Sequence, residues 1–243
     1  MLLTKNITYD KNETSFIFAW RIEMPKVSEE YFEKKKQAIV DAAYRVCLRK
    51  PVEMITMMDV IEETGLSQGG IYRFYKDLDE ILSDVIAGMR KNYSIVDEME
   101  QLFSAKEELS FEEGVHKIFD ILADVMEKHL MDIQKINFDL TVLAINEPER
   151  AEKIIGGIKG QSSLGYLSTV ALPNLFKESK KRKYKLRDKP ENIASFISAA
   201  YTGIEMNCIL SACYKAKVGA QCKPRPLFDT LAKTIIYLCG GEE

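Results

Sequence analysis

From Ser28 onward apolar residues return with a period near 3.6. Phe32, Ile39, Ala43, Val46 and Cys47 share one side of a helix, and Lys34, Lys35, Lys36 and Arg45 fall mostly elsewhere. Pro51 ends this first helix, because proline has no amide proton and restricts the residue before it. Thr56 then offers a hydroxyl cap to a short second helix over Met57–Thr64, and Gly65 supplies a tight turn. Ser67 caps a third helix whose buried side is Ile71, Phe74 and Tyr75, at i, i+3 and i+4. The stripe Leu78, Ile81, Leu82, Val85, Ile86 and Met89 predicts a fourth helix that leaves this three-helix module without a flexible linker. Further helices are predicted over 111–129, 132–146, a broken stretch 148–176, 190–211 and 226–238, with Pro190 and Pro226 suited to first turns. No convincing strand alternation and no internal repeat is present, so the expected fold class is all-α.

Composition narrows the picture without deciding it. A chain of 243 residues can bury a large core, and 46% hydrophobic with 29% charged residues is ordinary for a globular protein. Net charge is only −3, so bulk electrostatics do not announce a nucleic-acid binder and any such reading rests on local geometry. Cys47, Cys208, Cys213, Cys222 and Cys239 include no C-x-x-C pair, and His116 and His129 lack ligand spacing, so no metal is expected. The thiols read as single residues in a reducing compartment. Cys208 and Cys213, near the end of one predicted helix, are the pair a redox role would use. The basic run 180–189 reads as a solvated interhelical loop, with secondary phosphate contact as the other reading. No stretch approaches the roughly 20 apolar residues of a bilayer span, and the run 16–20 is too short for a secretory segment, so a cytoplasmic protein is expected. Residues 1–23 lack helical period and precede Met24, which reads as the true start; an ordered N-terminal arm is the alternative.

The informative segment is ITMMDVIEETGLSQGGIYRFYKDLDEIL, residues 55–82, two short helices meeting at a glycine turn in the manner of a helix-turn-helix. With Ile71, Phe74 and Tyr75 inward, Gln68, Tyr72 and Arg73 project outward. These types suit DNA. Gln pairs with adenine, Arg with guanine or phosphate, and a Tyr hydroxyl reaches a phosphate while its ring covers sugar or a thymine methyl. The caps Thr56 and Ser67 place hydroxyls and free amides where a phosphate binds. Gly69 and Gly70 are poor helix formers; they allow either close approach of DNA or close packing within the chain.

Residues 56–75 resemble the signature of the TetR family: a threonine-led helix, a glycine turn, and S-x-G-x-hydrophobic-Y before an aromatic pair. The likeness runs from Ser28 to Ile86. It implies an all-helical fold, DNA contacts at Thr56, Ser67, Gln68, Gly70, Tyr72, Arg73 and Lys76, and a homodimer reading a palindromic operator. One departure is Leu78, where the family usually has lysine, and Lys76 is the available substitute. Residues 187–210 are similar to the penultimate helix of the family's dimer interface. Phe196, Ala199, Ala200 and Gly203, with Leu227, Leu231, Thr234, Ile235 and Leu238 of the last helix, would form a four-helix bundle across a two-fold axis; an intrachain core is the alternative.

The expected organisation is an N-terminal extension over 1–26, a helix-turn-helix DNA-binding domain over 27–78, and a helical ligand-binding and dimerisation domain over 79–243. Met126, Phe138, Leu143, Tyr166, Tyr201 and Met206 are candidate lining residues for an unknown small-molecule effector, and equally suit plain core. No G-x-S-x-G, P-loop, Rossmann glycine pattern or metal cluster is found, so neither an enzyme nor a cofactor is expected. The leading expectation is a ligand-inducible repressor. The alternatives are a regulator with an α/β sugar-binding half, against which the absence of alternating strands argues, and a helical interaction protein that has lost operator binding.

Overall fold

The computed structural model describes residues 29–93, 95–104, 109–214 and 222–242. The expected N-terminal extension, with Met24, lies outside them. The described residues are all-α, with no strand. Helix α1 spans Glu29–Arg49, and Pro51 turns the chain into a short 3-10 turn at Val52–Met54. Helix α2 (Met57–Thr64) ends on Gly65, whose φ of 66° is left-handed and suits a residue without a Cβ. The short α3 (Gln68–Tyr72) follows, then α4 (Leu78–Asn92), capped by Asp77.

The C-terminal part differs from the sequence expectation in its details. Helix α5 (Val96–Ser104) was not anticipated; Ile95 and Met99 bury its start against the body. Helix α6 (Phe111–Lys128) carries a capping box between Ser110 and Glu113. The predicted 132–146 helix begins as a π turn, Leu130–Gln134, before α7 (Lys135–Asn146). The broken stretch resolves into α8 (Pro148–Ile155), the single turn α9 (Ser163–Tyr166), a second π turn Leu167–Ala171, and α10 (Leu172–Lys181). Helix α11 spans Pro190–Tyr214, and α12 spans Pro224–Leu238, two residues earlier than Pro226 suggested because Pro224 already occupies its first turn. The basic run is helical to Lys181. Its remainder is pinned to the end of α12, where the Arg187 amide donates to the Leu238 carbonyl at 2.8 Å and its guanidinium lies over the Tyr237 ring.

Two apolar cores result. One joins α1 to α4 (Ile39, Val60, Ile71, Leu82, Ile86) with Ile133, Ile136, Leu140 and Leu143 of the π turn and α7, and with Ala151 and Ile154 of α8. The expected boundary near residue 78 is therefore no break in packing: α7 and α8 complete the core of the helix-turn-helix. The second core is the body, where Phe119, Leu122 and Met126 of α6 meet Tyr201 of α11 and Phe228, Leu231 and Ile235 of α12. Helix α11 is, over Pro190–Cys213, long and apolar enough by length and composition to cross a membrane, which the sequence reading did not anticipate. Its apolarity serves two opposite faces. Ile193, Ile197, Tyr201 and Cys208 are buried in the body, and Phe196, Met206 and Leu210 are exposed.

Candidate nucleic-acid interface

The candidate reading surface is built from capped helix starts. Thr56 adopts an extended backbone and its side chain accepts from the Asp59 amide, while Asp59 accepts from the Thr56 amide and hydroxyl, both at 2.8 Å. Lys50 also bonds Asp59, and with Thr56 this holds the carboxyl down to about 2. Sequence reasoning missed Asp59. The Thr56 hydroxyl, offered as a phosphate contact, is engaged by a carboxylate and must turn away from it to donate elsewhere. The Ser67 hydroxyl accepts from the Gly70 amide at 3.2 Å and caps α3.

On α3 the inward and outward sides divide as the spacing predicts. Ile71 is fully buried, Tyr75 donates from its hydroxyl to Asp84 at 2.7 Å, and Phe74 packs its ring on Phe32. Gln68, Tyr72 and Arg73 are exposed. Among the described residues the Gln68 and Arg73 side chains make no hydrogen bond or ion pair, whereas Arg45 and Arg49 bind Glu63, Lys50 binds Asp59, and Lys36 faces Asp84. Most cations of the head are thus committed to its own acids, which is why a near-neutral module still presents an uncommitted guanidinium beside Gln68 and Tyr72.

The two glycines separate. A Cβ at Gly70 would sit 3.2 Å from the Ser67 hydroxyl, so the cap crowds it; a Cβ at Gly69 would meet nothing within 4 Å. Packing inside the chain does not require glycine at 69. Lys76 is exposed and pairs with Glu80 at 2.9 Å, which pushes its pKa up. Leu78 is half-buried against the head core. The α4 start beside it holds Asp77 and Asp79, which Lys153 of α8 bridges at 2.9 and 3.0 Å and which Arg150 joins at 3.0 Å. These α8 cations carried no local motif in the sequence; only the fold brings them to α4.

The remaining candidates scatter. Met126, Tyr166 and Tyr201 are buried in the body, Leu143 lies in the head core, Phe138 is half-buried, and Met206 is exposed on the outer face of α11. They line no common site: Leu143 and Met206 are corrected out of any pocket, because α7 turns Leu143 toward the head and α11 turns Met206 outward. Of the interface candidates, Phe196 and Ala199 are exposed, and Ala200, Gly203, Leu227, Thr234 and Leu238 are half-buried. Leu231 and Ile235 are also corrected: α12 lies along α6 and buries both in this chain's own core, so they offer no surface to a partner. The thiols of Cys208 and Cys239 are pushed up to about 11 by burial, which suppresses the reactive thiolate.

Comparison with known proteins agrees with this geometry. No protein-family model matches the chain. An uncharacterised HTH-type transcriptional regulator of Bacillus subtilis, YfiR, is 33% identical over 115 residues, 44% of this chain and 55% of that protein. The chain thus spans about half the length of that relative. A solved structure from Mesorhizobium loti, described as a TetR-family transcriptional regulator, superposes with a TM-score of 0.57 at 13% identity, over 85% of this chain and 96% of its own. One from Rhodococcus, described in the same terms, gives 0.56 at 12% identity, over 85% and 99%.

Proposed function

The chain has the fold of TetR-family transcriptional regulators, and we propose that it is a DNA-binding transcriptional regulator, acting as a homodimer on a palindromic operator and released by a small-molecule effector. The observation that carries the DNA-binding reading is the bare outer side of α3, where Gln68, Tyr72 and Arg73 stand exposed around a glycine whose side there is open. Two such helices one DNA turn apart, roughly 34–36 Å, would read paired half-sites. Dimerisation is supported by the outer face of α11, where Phe196, Ala199, Gly203, Met206 and Leu210 fall on one side of the helix.

Response to an effector is supported by the shared core. Because α7 and α8 pack into the head and α8 grips Asp77 and Asp79, a shift of the body carries α4 and the head with it. A ligand that favours the unbound arrangement then weakens operator binding by the same factor by which the operator weakens the ligand. The test begins with selection of bound duplexes from a random pool by the full chain. Fluorescence anisotropy then follows, with wild type and Tyr72→Ala. Two-fold symmetric sites, steep salt dependence and weakened binding by a folded Tyr72→Ala are expected. A pool without enrichment, or unchanged affinity of Tyr72→Ala, refutes the assignment and favours a helical interaction protein.

A further inference from the structure

Inside the body most buried polar side chains have evident work. Ser179 donates to the Cys239 carbonyl at 2.8 Å and ties α10 to the end of α12. Glu205, in the middle of α11, does not fit that pattern. It is only 7% exposed, and among the described residues nothing bonds its carboxyl and no cation offsets its burial. An uncompensated buried carboxyl opposes folding, and Leu or Gln at this position would avoid the charged state.

The surroundings of Glu205 have a definite chemistry. One helical turn earlier on the same side stands Tyr201, buried, with Ser163 of α9 bonded to its hydroxyl. Beside it, the Ser198 hydroxyl meets that of Ser168 at 3.3 Å, so α11 and the 163–171 segment face each other across a polar seam. The second π turn, Leu167–Ala171, lies along this seam; such widened turns recur at binding sites. The Tyr201 ring lies 5.6 Å from Phe228, which lies 6.2 Å from Phe119. A carboxyl at the end of a row of aromatic rings suits a cation with an apolar body: the carboxylate takes the charge, and ring faces attract it.

We propose that Glu205 and Tyr201 form the recognition point of the effector site, and that the effector is a small organic cation, a protonated amine on an apolar body. This rests on the effector-responsive reading above. A neutral ligand that donates to the carboxyl, and a basic side chain from a second copy of the chain, would answer the same unpaired group; the amine is favoured because the rings beside Glu205 complement both its charge and its apolar body.

The test uses the full chain and calorimetric titration with butylammonium and 2-phenylethylammonium, each matched to its neutral alcohol. At least one amine should bind tenfold or more tighter than its alcohol. Glu205→Gln should reduce that preference to less than threefold, and Glu205→Asp should retain part of it; thermal unfolding checks that both variants are folded. Equal binding of amine and alcohol, a preference that survives in folded Glu205→Gln, or no binding of either amine overturns the proposal. A rise in the dimer dissociation constant of Glu205→Gln, without amine binding, overturns it in favour of a partner-supplied base. Operator affinity is measured separately on the same preparations. Amine binding that leaves operator affinity unchanged would uphold the site and refute effector response; intact operator binding without amine binding would refute the site alone.

Discussion

Replacing Glu205 by glutamine removes one titrating group from the body while nearly preserving its shape, so the pH dependence of stability isolates what burial does to that carboxyl. Burial pushes the Glu205 pKa from its ordinary 4.5 up to about 7. The folded state therefore holds this proton more tightly than the unfolded chain. Its contribution is fully present below pH 4.5, declines as pH rises, and is lost above about 7. A shift of this size corresponds to about 3 kcal/mol, at roughly 1.4 kcal/mol per unit. The assay is urea unfolding of wild type and Glu205→Gln from pH 4.5 to 8.5 at fixed protein concentration, since association with a second copy would make stability concentration-dependent. The difference in unfolding free energy should move in favour of Glu205→Gln by about 3 kcal/mol across that range. Groups common to both proteins, such as the strongly acidic Asp59, cancel in the difference. Parallel stability curves would refute the reasoning and mean that the carboxyl is solvated or paired in solution.

The other expectations concern reading and coupling. Gly69→Ala should leave stability unchanged or raise it by up to about 1 kcal/mol, since alanine is the better helix former and its Cβ meets nothing; operator affinity by anisotropy should nevertheless fall, and an undiminished affinity would reject close DNA approach at this position. Gln68→Ala should cost of order 1–3 kcal/mol at one operator position, measured with single-base operator variants; a uniform loss would make Gln68 a phosphate contact. A double-mutant cycle on Arg150→Ala and Asp79→Ala should give a coupling of about 1 kcal/mol in urea unfolding, because this pair is mostly shielded from water; zero coupling would remove α8 as a clasp on α4. Phe196→Asp should shift the chain toward monomer in light scattering, and an unchanged mass would move the interface away from the outer face of α11.

Helix spacing, proline stops and hydroxyl caps are local properties, so the sequence alone determined the head. The 3.6-residue stripes, Pro51, Thr56, Gly65 and Ser67 specify α1 to α4, and placing Ile71, Phe74 and Tyr75 inward obliges Gln68, Tyr72 and Arg73 to face out. What lay beyond the sequence depends on which elements meet. Asp59 reads as an ordinary first-turn acid until Lys50 of α1 reaches it, and Arg150 and Lys153 look like solvated charges until α8 folds onto the start of α4. The same limit explains the misplaced residues. Leu231 and Ile235 repeat with a period that fits either a partner or α6, and Leu143 fits either core, because periodicity shows that a face is buried without showing against what. Glu205 is the sharpest case: a lone glutamate in an apolar helix is legible as a letter, but only the packing of α11 among the body helices closes water away from it and gives it a reason to want a ligand.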